Sequence, residues 1–226
     1  MRRFIPVLFL IFILSLAACS GTSAPVSSQT SSAPLFGVVD VYDADALMGA
    51  IRSGDTTGVN IKADITIGLS SIEEYEKPGF VVTIGEGVTV TMKNNFMPVY
   101  FGTESMGGIV NNGTLMITGT FEFAETTLEN NGTVQIASGG MLAPCYSTIQ
   151  NNGEVVIDAG GELRLERETT FNNAAAITNN GMLKISSDGG VLNNLETGTI
   201  VNNNTVASVG TYTNAGRFIG EGEPLQ

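Results

Sequence analysis

The segment Ile109-Val-Asn-Asn-Gly-Thr-Leu-Met-Ile117 is the clearest indication of the architecture, because the chain repeats it four more times. The further copies are Leu128-Glu-Asn-Asn-Gly-Thr-Val-Gln-Ile136, Ile149-Gln-Asn-Asn-Gly-Glu-Val-Val-Ile157, Ile177-Thr-Asn-Asn-Gly-Met-Leu-Lys-Ile185 and the weaker Ile200-Val-Asn-Asn-Asn-Thr-Val-Ala-Ser208. Their starts are separated by 19, 21, 28 and 23 residues. Repeats of this length are typical of a solenoid whose coils carry loops of different sizes.

Apolar and polar residues alternate within each copy, as in Val134-Gln-Ile136. A period of two residues predicts a strand with one buried face. The Asn-Asn-Gly element predicts a turn in which glycine takes a positive φ and asparagine the left-handed region. Stacked about 4.8 Å apart, equivalent asparagines can bond from coil to coil as an amide ladder. The predicted turn and ladder residues are Asn111, Asn112, Gly113, Asn130, Asn131, Gly132, Asn151, Asn152, Gly153, Asn179, Asn180, Gly181, Asn202 and Asn203.

These features predict an all-β chain that forms a single parallel β-helix, with coils of about 19–23 residues. A short N-terminal helix over Asp43–Ile51, closed near Ser53-Gly54, is expected to cover the open end of the core. Strands are expected at Val59–Ile67, Phe80–Ile84 and Gly87–Met92. The expected organisation is a cap over residues 35–58, the β-helix over 59–219 and a tail over 220–226.

The repeats resemble the right-handed parallel β-helix of the pectate-lyase-like superfamily, and within it the adhesin-like repeat proteins of bacterial surfaces. The resemblance covers residues 38–219 and implies an architecture rather than an activity. The repeat weakens at its C-terminal end, where Ser208 replaces the isoleucine of the other copies. An uncapped edge there could pair with another copy, which makes end-to-end self-association an expectation to test.

The N-terminus has the pattern of an export signal, with Arg2 and Arg3 before the apolar run Phe4–Leu16. The following Leu16-Ala-Ala-Cys19 resembles the lipobox of bacterial lipoproteins. The resemblance implies a signal peptide over residues 1–18 and lipidation of Cys19, with the alternative of an ordinary signal peptide and a chance cysteine. Two or more acyl chains give durable membrane anchoring. The protein would then face outward from the cell envelope, on the plasma membrane of a Gram-positive cell or the outer membrane of a Gram-negative one.

Residues 20–34 contain no charge and are rich in Ser, Thr, Pro and Ala, so with Cys19 they are expected to form a flexible tether over residues 19–34. The whole chain has 10 Lys+Arg, 22 Asp+Glu and no His, which gives a formal net charge of −12. This balance argues against a nucleic-acid partner, because a polyphosphate needs a basic face. Without histidine, no imidazole base or ligand is available.

Candidate binding residues are the aromatic and basic side chains outside the predicted core. Aromatic faces can stack on sugars, and Tyr146 lies in a longer connection. Cys145 beside it is expected to be a buried small hydrophobe, since no basic residue lies within fifteen positions. The candidate binding residues are Tyr100, Phe101, Tyr146, Arg164, Arg167 and Lys184.

The β-helix resemblance also implies an alternative, since lyases of that superfamily bind calcium with clustered carboxylates and use Arg or Lys as a base. The calcium ligands would be Asp158, Glu162 and Asp188. A competing explanation is that Arg164, between two glutamates, is a self-paired group on a solvated strand.

We therefore expect a non-catalytic binding or adhesion module for a glycan or an extracellular partner, with no catalytic residue and no required cofactor. The alternatives are a calcium-dependent polysaccharide lyase or another carbohydrate-active enzyme, and a structural spacer of the envelope without a ligand of its own.

Overall fold

The computed structural model describes residues 37–68, 75–93, 96–100 and 107–222, without the side chains of 75–76 and 96–100. The chain divides into two units, Met1–Ala33 and Pro34–Gln226, and the elements below belong to the second. The predictions for the signal peptide, Cys19, the tether and Phe101 lie outside the described residues, as does the side chain of Tyr100. Within the described part of the chain, no helix is long and apolar enough to cross a membrane.

The second unit is a parallel β-solenoid of about 8 turns, as the repeats predict. Each complete coil contributes one strand to each of three sheets, in the chain order A, B, C. Sheet A contains β1 (Gly37–Val41), β2 (Thr56–Ile61), β5 (Val81–Ile84), β8 (Gly108–Asn111), β11 (Thr127–Asn130), β14 (Thr148–Asn151), β17 (Thr170–Asn173), β20 (Val191–Asn194) and β23 (Thr211–Asn214).

The other two sheets form the remaining two sides of the solenoid. Sheet B contains β3 (Ile65–Gly68), β6 (Thr89–Lys93), β9 (Thr114–Ile117), β12 (Thr133–Ile136), β15 (Glu154–Ile157), β18 (Ala176–Asn179), β21 (Thr199–Asn202) and β24 (Arg217–Gly220). Sheet C contains β4 (Tyr75–Glu76), β7 (Phe96–Tyr100), β10 (Thr120–Ala124), β13 (Met141–Leu142), β16 (Glu162–Leu165), β19 (Met182–Ile185) and β22 (Thr205–Ser208).

The alternating residues of these strands fill the space between the sheets. In β16, Leu163 and Leu165 are fully buried while Arg164 between them faces outward. Equivalent apolar residues stack from coil to coil, so that Leu128, Ile149 and Phe171 form one column of sheet A. Such stacking removes apolar surface from water along the whole axis, at about 25 cal/mol per Å².

The N-terminal cap contains the predicted helix, α1 (Ala44–Arg52), and the strand β1, which pairs with β2. Asp43 is the N-cap residue, and its carboxylate accepts a hydrogen bond of 2.7 Å from the backbone N–H of Ala46. The buried face of the helix includes Leu47 and Ile51. Lys77 reaches the other end of the helix, where its Nζ donates to carbonyls of the last turn.

The predicted strand Val59–Ile67 is two strands, β2 and β3, because the chain turns a corner between Ile61 and Ile65. The first coils are also longer than predicted. Val82 and Ile109 are register partners 27 residues apart, whereas from Ile109 onward the coils measure 18 to 23 residues.

A buried asparagine ladder runs along the corner between sheets A and B. Each asparagine ends a strand of sheet A, and its Nδ2 donates to the Oδ1 of the asparagine one coil further on, at 2.7 Å in every rung. The ladder consists of Asn111, Asn130, Asn151, Asn173, Asn194 and Asn214. Most Nδ2 groups also donate to a backbone carbonyl, so the corners are fastened to one another within the core.

The five sequence copies do not occupy one equivalent position, which corrects the simple alignment. The first three copies turn from sheet A to sheet B, but Asn179 and Asn202 end strands of sheet B and form a separate rung of 2.7 Å. The structural counterpart of Ile149 in the next coil is Phe171, not Ile177. The 28-residue spacing between the third and fourth copies is therefore one complete coil plus the step from sheet A to sheet B.

The glycines of the Asn-Asn-Gly turns also differ from expectation. Neither they nor the asparagines are among the described residues with positive φ. A Cβ at Gly153 would instead overlap the carbonyl oxygen of Gly132 in the preceding coil. Glycine is needed at this position because the backbones of successive coils come too close for a side chain, rather than for an unusual backbone conformation.

Replacing a ladder asparagine should destabilise the fold far more than replacing its exposed neighbour. Asn151→Ala removes the donor to Asn173 and to the Ala176 carbonyl, and should lower the free energy of unfolding by about 2–4 kcal/mol. Asn152→Ala removes one exposed rung to Asn131 and should cost at most about 0.5 kcal/mol. Urea unfolding followed by circular dichroism measures both, and equal losses would contradict a structural role specific to the buried ladder.

Candidate functional site

The corner between sheets C and A carries the most unusual backbone of the described chain. Three successive coils turn there through non-glycine residues with positive φ, namely Glu125 at 50°, Tyr146 at 48°, and Arg167 at 49° with Glu168 at 57°. The left-handed region costs a non-glycine residue roughly 1 kcal/mol or more. Such conformations persist only where the surroundings impose them, and they cluster at functional sites.

Coil-to-coil hydrogen bonds impose this conformation. The N–H of Glu125 donates to the Cys145 carbonyl at 3.1 Å, and the N–H of Tyr146 donates to the Arg167 carbonyl at 2.7 Å. The left-handed residues therefore stack on one another along the axis. As a result, their side chains project from neighbouring coils into the same region of the surface.

Buried hydroxyl groups support the corner from inside. Thr126, Ser147 and Thr169 are equivalent corner residues, all nearly inaccessible to solvent. The Ser147 hydroxyl donates to the Cys145 carbonyl at 2.6 Å and accepts from the N–H of Thr126 at 3.2 Å. Thr169 donates to the Pro144 carbonyl at 2.8 Å. Sequence reasoning missed this column, although its hydroxyl residues recur at the same 21–22-residue spacing as the strands around them.

A shallow pocket of about 160 Å³ opens at this corner. Tyr146 stands at its edge with 53% of its surface exposed. The lining combines two aromatic residues, two carboxylates, a guanidinium and the Cys145 thiol. It consists of Glu122, Phe123, Ala124, Glu125, Cys145, Tyr146 and Arg167.

Arg167 lies over the buried Cys145, with a distance of 3.7 Å between Nη1 and Sγ. Burial raises the pKa of the Cys145 thiol, and the nearby guanidinium of Arg167 opposes this only in part. Cys145 is therefore a buried small residue, as predicted. Its basic neighbour is not evident from the sequence, because Arg167 is 22 positions away along the chain but adjacent in the next coil.

Arg164 and Lys184 lie side by side on sheet C, as register partners in β16 and β19. The Arg164 guanidinium is held by Glu162, with Nε and Nη2 each 2.9 Å from Oε1. This hydrogen bond raises the pKa of Arg164 and keeps the side chain along its own strand. The arrangement is the self-paired strand considered as an alternative to a catalytic base.

The three candidate calcium ligands lie at different places. Asp158 is at the corner between sheets B and C, where it accepts a hydrogen bond of 2.9 Å from Gln135. Glu162 is on sheet C beside Arg164, and Asp188 is at the corner between sheets C and A. Across the described ranges, no group of three or more acidic or Cys side chains is placed to hold a metal ion.

A second shallow pocket, of about 230 Å³, lies at the corner between sheets B and C. Its walls are largely glycine backbone with Met182, and Glu162 supplies its single charged group. The corner between sheets C and A offers more varied chemistry, so it is the better candidate site. Comparisons with known proteins found no match to a family model, a curated protein or a solved structure.

The thiol of Cys145 should react slowly and only at high pH. In a Cys19→Ser background, alkylation by iodoacetamide should have its pH midpoint above about 8.5, the usual thiol value, because burial raises the pKa. Arg167→Met should move the midpoint higher still, since it removes the charge that favours the thiolate. A midpoint that falls in Arg167→Met would contradict the contact, while a change in the plateau rate alone would report only access to the thiol.

Proposed function

We propose that this protein is a non-catalytic binding module that takes a neutral glycan at the corner between sheets C and A. The observation that carries the proposal is the exposed ring of Tyr146, held in a left-handed conformation beside Arg167 and Glu125. A ring that projects from a backbone fixed on both sides is pre-organised for contact. Binding then costs little ordering entropy.

The chemistry of the pocket favours a sugar over a charged ligand. Tyrosine offers an apolar face with a polar tip, which suits the apolar face of a pyranose ring. Glu122 and Glu125 supply hydrogen-bond acceptors, and Arg167 supplies donors, as a polyhydroxylated ligand requires. The two carboxylates of the pocket outnumber its one guanidinium, and the chain as a whole is acidic, so an anionic glycan would be repelled.

The proposed location is the outside of a bacterial cell envelope. The support for it is the Leu16-Ala-Ala-Cys19 pattern after an apolar run, followed by the uncharged residues 20–34. Acyl chains on Cys19 would hold the protein at the membrane. A module displayed in this way would attach the cell to a glycan, or retain the glycan at the cell surface.

Replacement of Tyr146 tests the site against a matched control. Tyr146→Ala should weaken retention on an immobilised panel of neutral glycans by about tenfold or more, because it removes the stacking face. Tyr42 is similarly exposed, at 62%, but lies next to the N-terminal helix, and Tyr42→Ala should leave retention unchanged. The readout is the dissociation constant measured in calcium and again in chelator.

Three other outcomes would contradict the proposal. Equal weakening by the two tyrosine variants would mean that the corner is not the site. Shortening of a bound polysaccharide would favour a carbohydrate-active enzyme, and calcium dependence of that cleavage would favour a lyase. No retention on any glycan would favour a structural component of the envelope.

A further inference from the structure

The two ends of the solenoid differ in how they are closed. At the N-terminal end, α1 places Leu47, Met48 and Ile51 over the core. At the C-terminal end, Phe218 of β24 is only half-buried, and Ile219 of the same strand is 42% exposed. Among the described residues, no further strand pairs with β24, which is the last strand of sheet B.

The edge strands β22 and β23 at this end carry none of the residues that usually protect a sheet edge against pairing. Natural sheet edges are commonly blocked by charged residues, especially lysine, or by proline. Residues 197–216 contain no Lys, Arg, Asp, Glu or Pro, although the chain as a whole carries a net charge of −12. Two copies would repel each other over much of their surface, but not at this end.

The two charged residues that flank the edge of β24 have opposite signs, so each could pair with the other residue in a second copy. Arg217 begins β24, and Glu221 follows its last residue. In an antiparallel pair centred on Ile219, Arg217 of one copy lies opposite Glu221 of the other at both ends of the contact. The same register places Phe218 opposite Gly220, which has no side chain to obstruct the ring.

We propose that a second copy of this chain covers the C-terminal end, with β24 of one copy pairing antiparallel to β24 of the other around a two-fold axis at Ile219. The two 8-stranded B sheets then become continuous. Because the contact uses the same edge on both copies, association stops at the dimer. This inference is independent of the proposed glycan site, which lies on another corner of the solenoid.

Exchange of the two charges tests the pairing in the full-length chain. By sedimentation velocity in a neutral detergent, the parent chain should be dimeric. Arg217→Glu and Glu221→Arg should each weaken dimerisation by about tenfold or more, because each places like charges opposite one another. The double variant should restore it. Lys93→Glu, at an exposed position on β6, is the control and should dimerise as the parent does.

A cysteine scan locates the axis. In a Cys19→Ser background, Ile219→Cys should form a disulfide with itself across the two-fold axis, whereas Ala207→Cys, exposed on β22, should not. The backbone carbonyl of Arg217, not its side chain, bonds to the asparagine ladder, so the charge variants should keep the parent's melting temperature. A monomeric parent chain, single variants that dimerise normally, or a double variant that is not restored would overturn the proposal.

Discussion

The side-chain amide hydrogen bond between asparagines of successive coils is the interaction on which the rest of this structure depends. It repeats at 2.7 Å along six consecutive coils, beside the apolar core. A buried amide without partners would cost roughly 1–3 kcal/mol, so any slip in register that broke the ladder would be penalised at every rung. The ladder therefore fixes which residues stack.

The close approach of backbones at the Asn-Asn-Gly turns follows from the same stacking of coils that forms the asparagine ladder. The asparagines bond best when the coils are tightly stacked, and tight stacking leaves no room for a Cβ at positions such as Gly153. At these turns the corner between sheets A and B is short and uniform. The corner between sheets C and A is free to vary in length, and it carries Tyr146 and Arg167. The rigid corner between sheets A and B thus supports a variable corner between sheets C and A, which is a common arrangement for binding surfaces.

The fold could be predicted from the sequence because its signals are local and repeated. The alternation of apolar residues, the recurrent asparagines and the cap at Asp43 each report the structure of the few residues around them. The different corner at which the fourth and fifth copies turn could not be predicted in this way. An Asn-Asn-Gly turn fits either of two corners, and only the pairing of Ile149 with Phe171 reveals which corner each copy occupies.

The candidate site was only partly predictable for a related reason. Tyr146 stood out because it lies in a longer connection, but its neighbours come from adjacent coils. The contact of Arg167 with Cys145 depends on the length of one coil, and a difference of a single residue would move the arginine elsewhere. The conformation of the corner depends on Thr126, Ser147 and Thr169, whose hydroxyls bond to backbone groups that the sequence does not identify.

Hydrogen exchange of asparagine side-chain amides, followed by NMR on a chain labelled at asparagine, is the direct test of whether the buried ladder holds the coils in register. The Nδ2 protons of Asn130, Asn151 and Asn173 should exchange only on local or global unfolding, because each Nδ2 group is buried and donates hydrogen bonds to both a side-chain and a backbone oxygen. Those of Asn131 and Asn152, on the exposed side of the same turns, should exchange far faster. Uniformly rapid exchange of all asparagine amides would contradict a ladder that holds the coils in register.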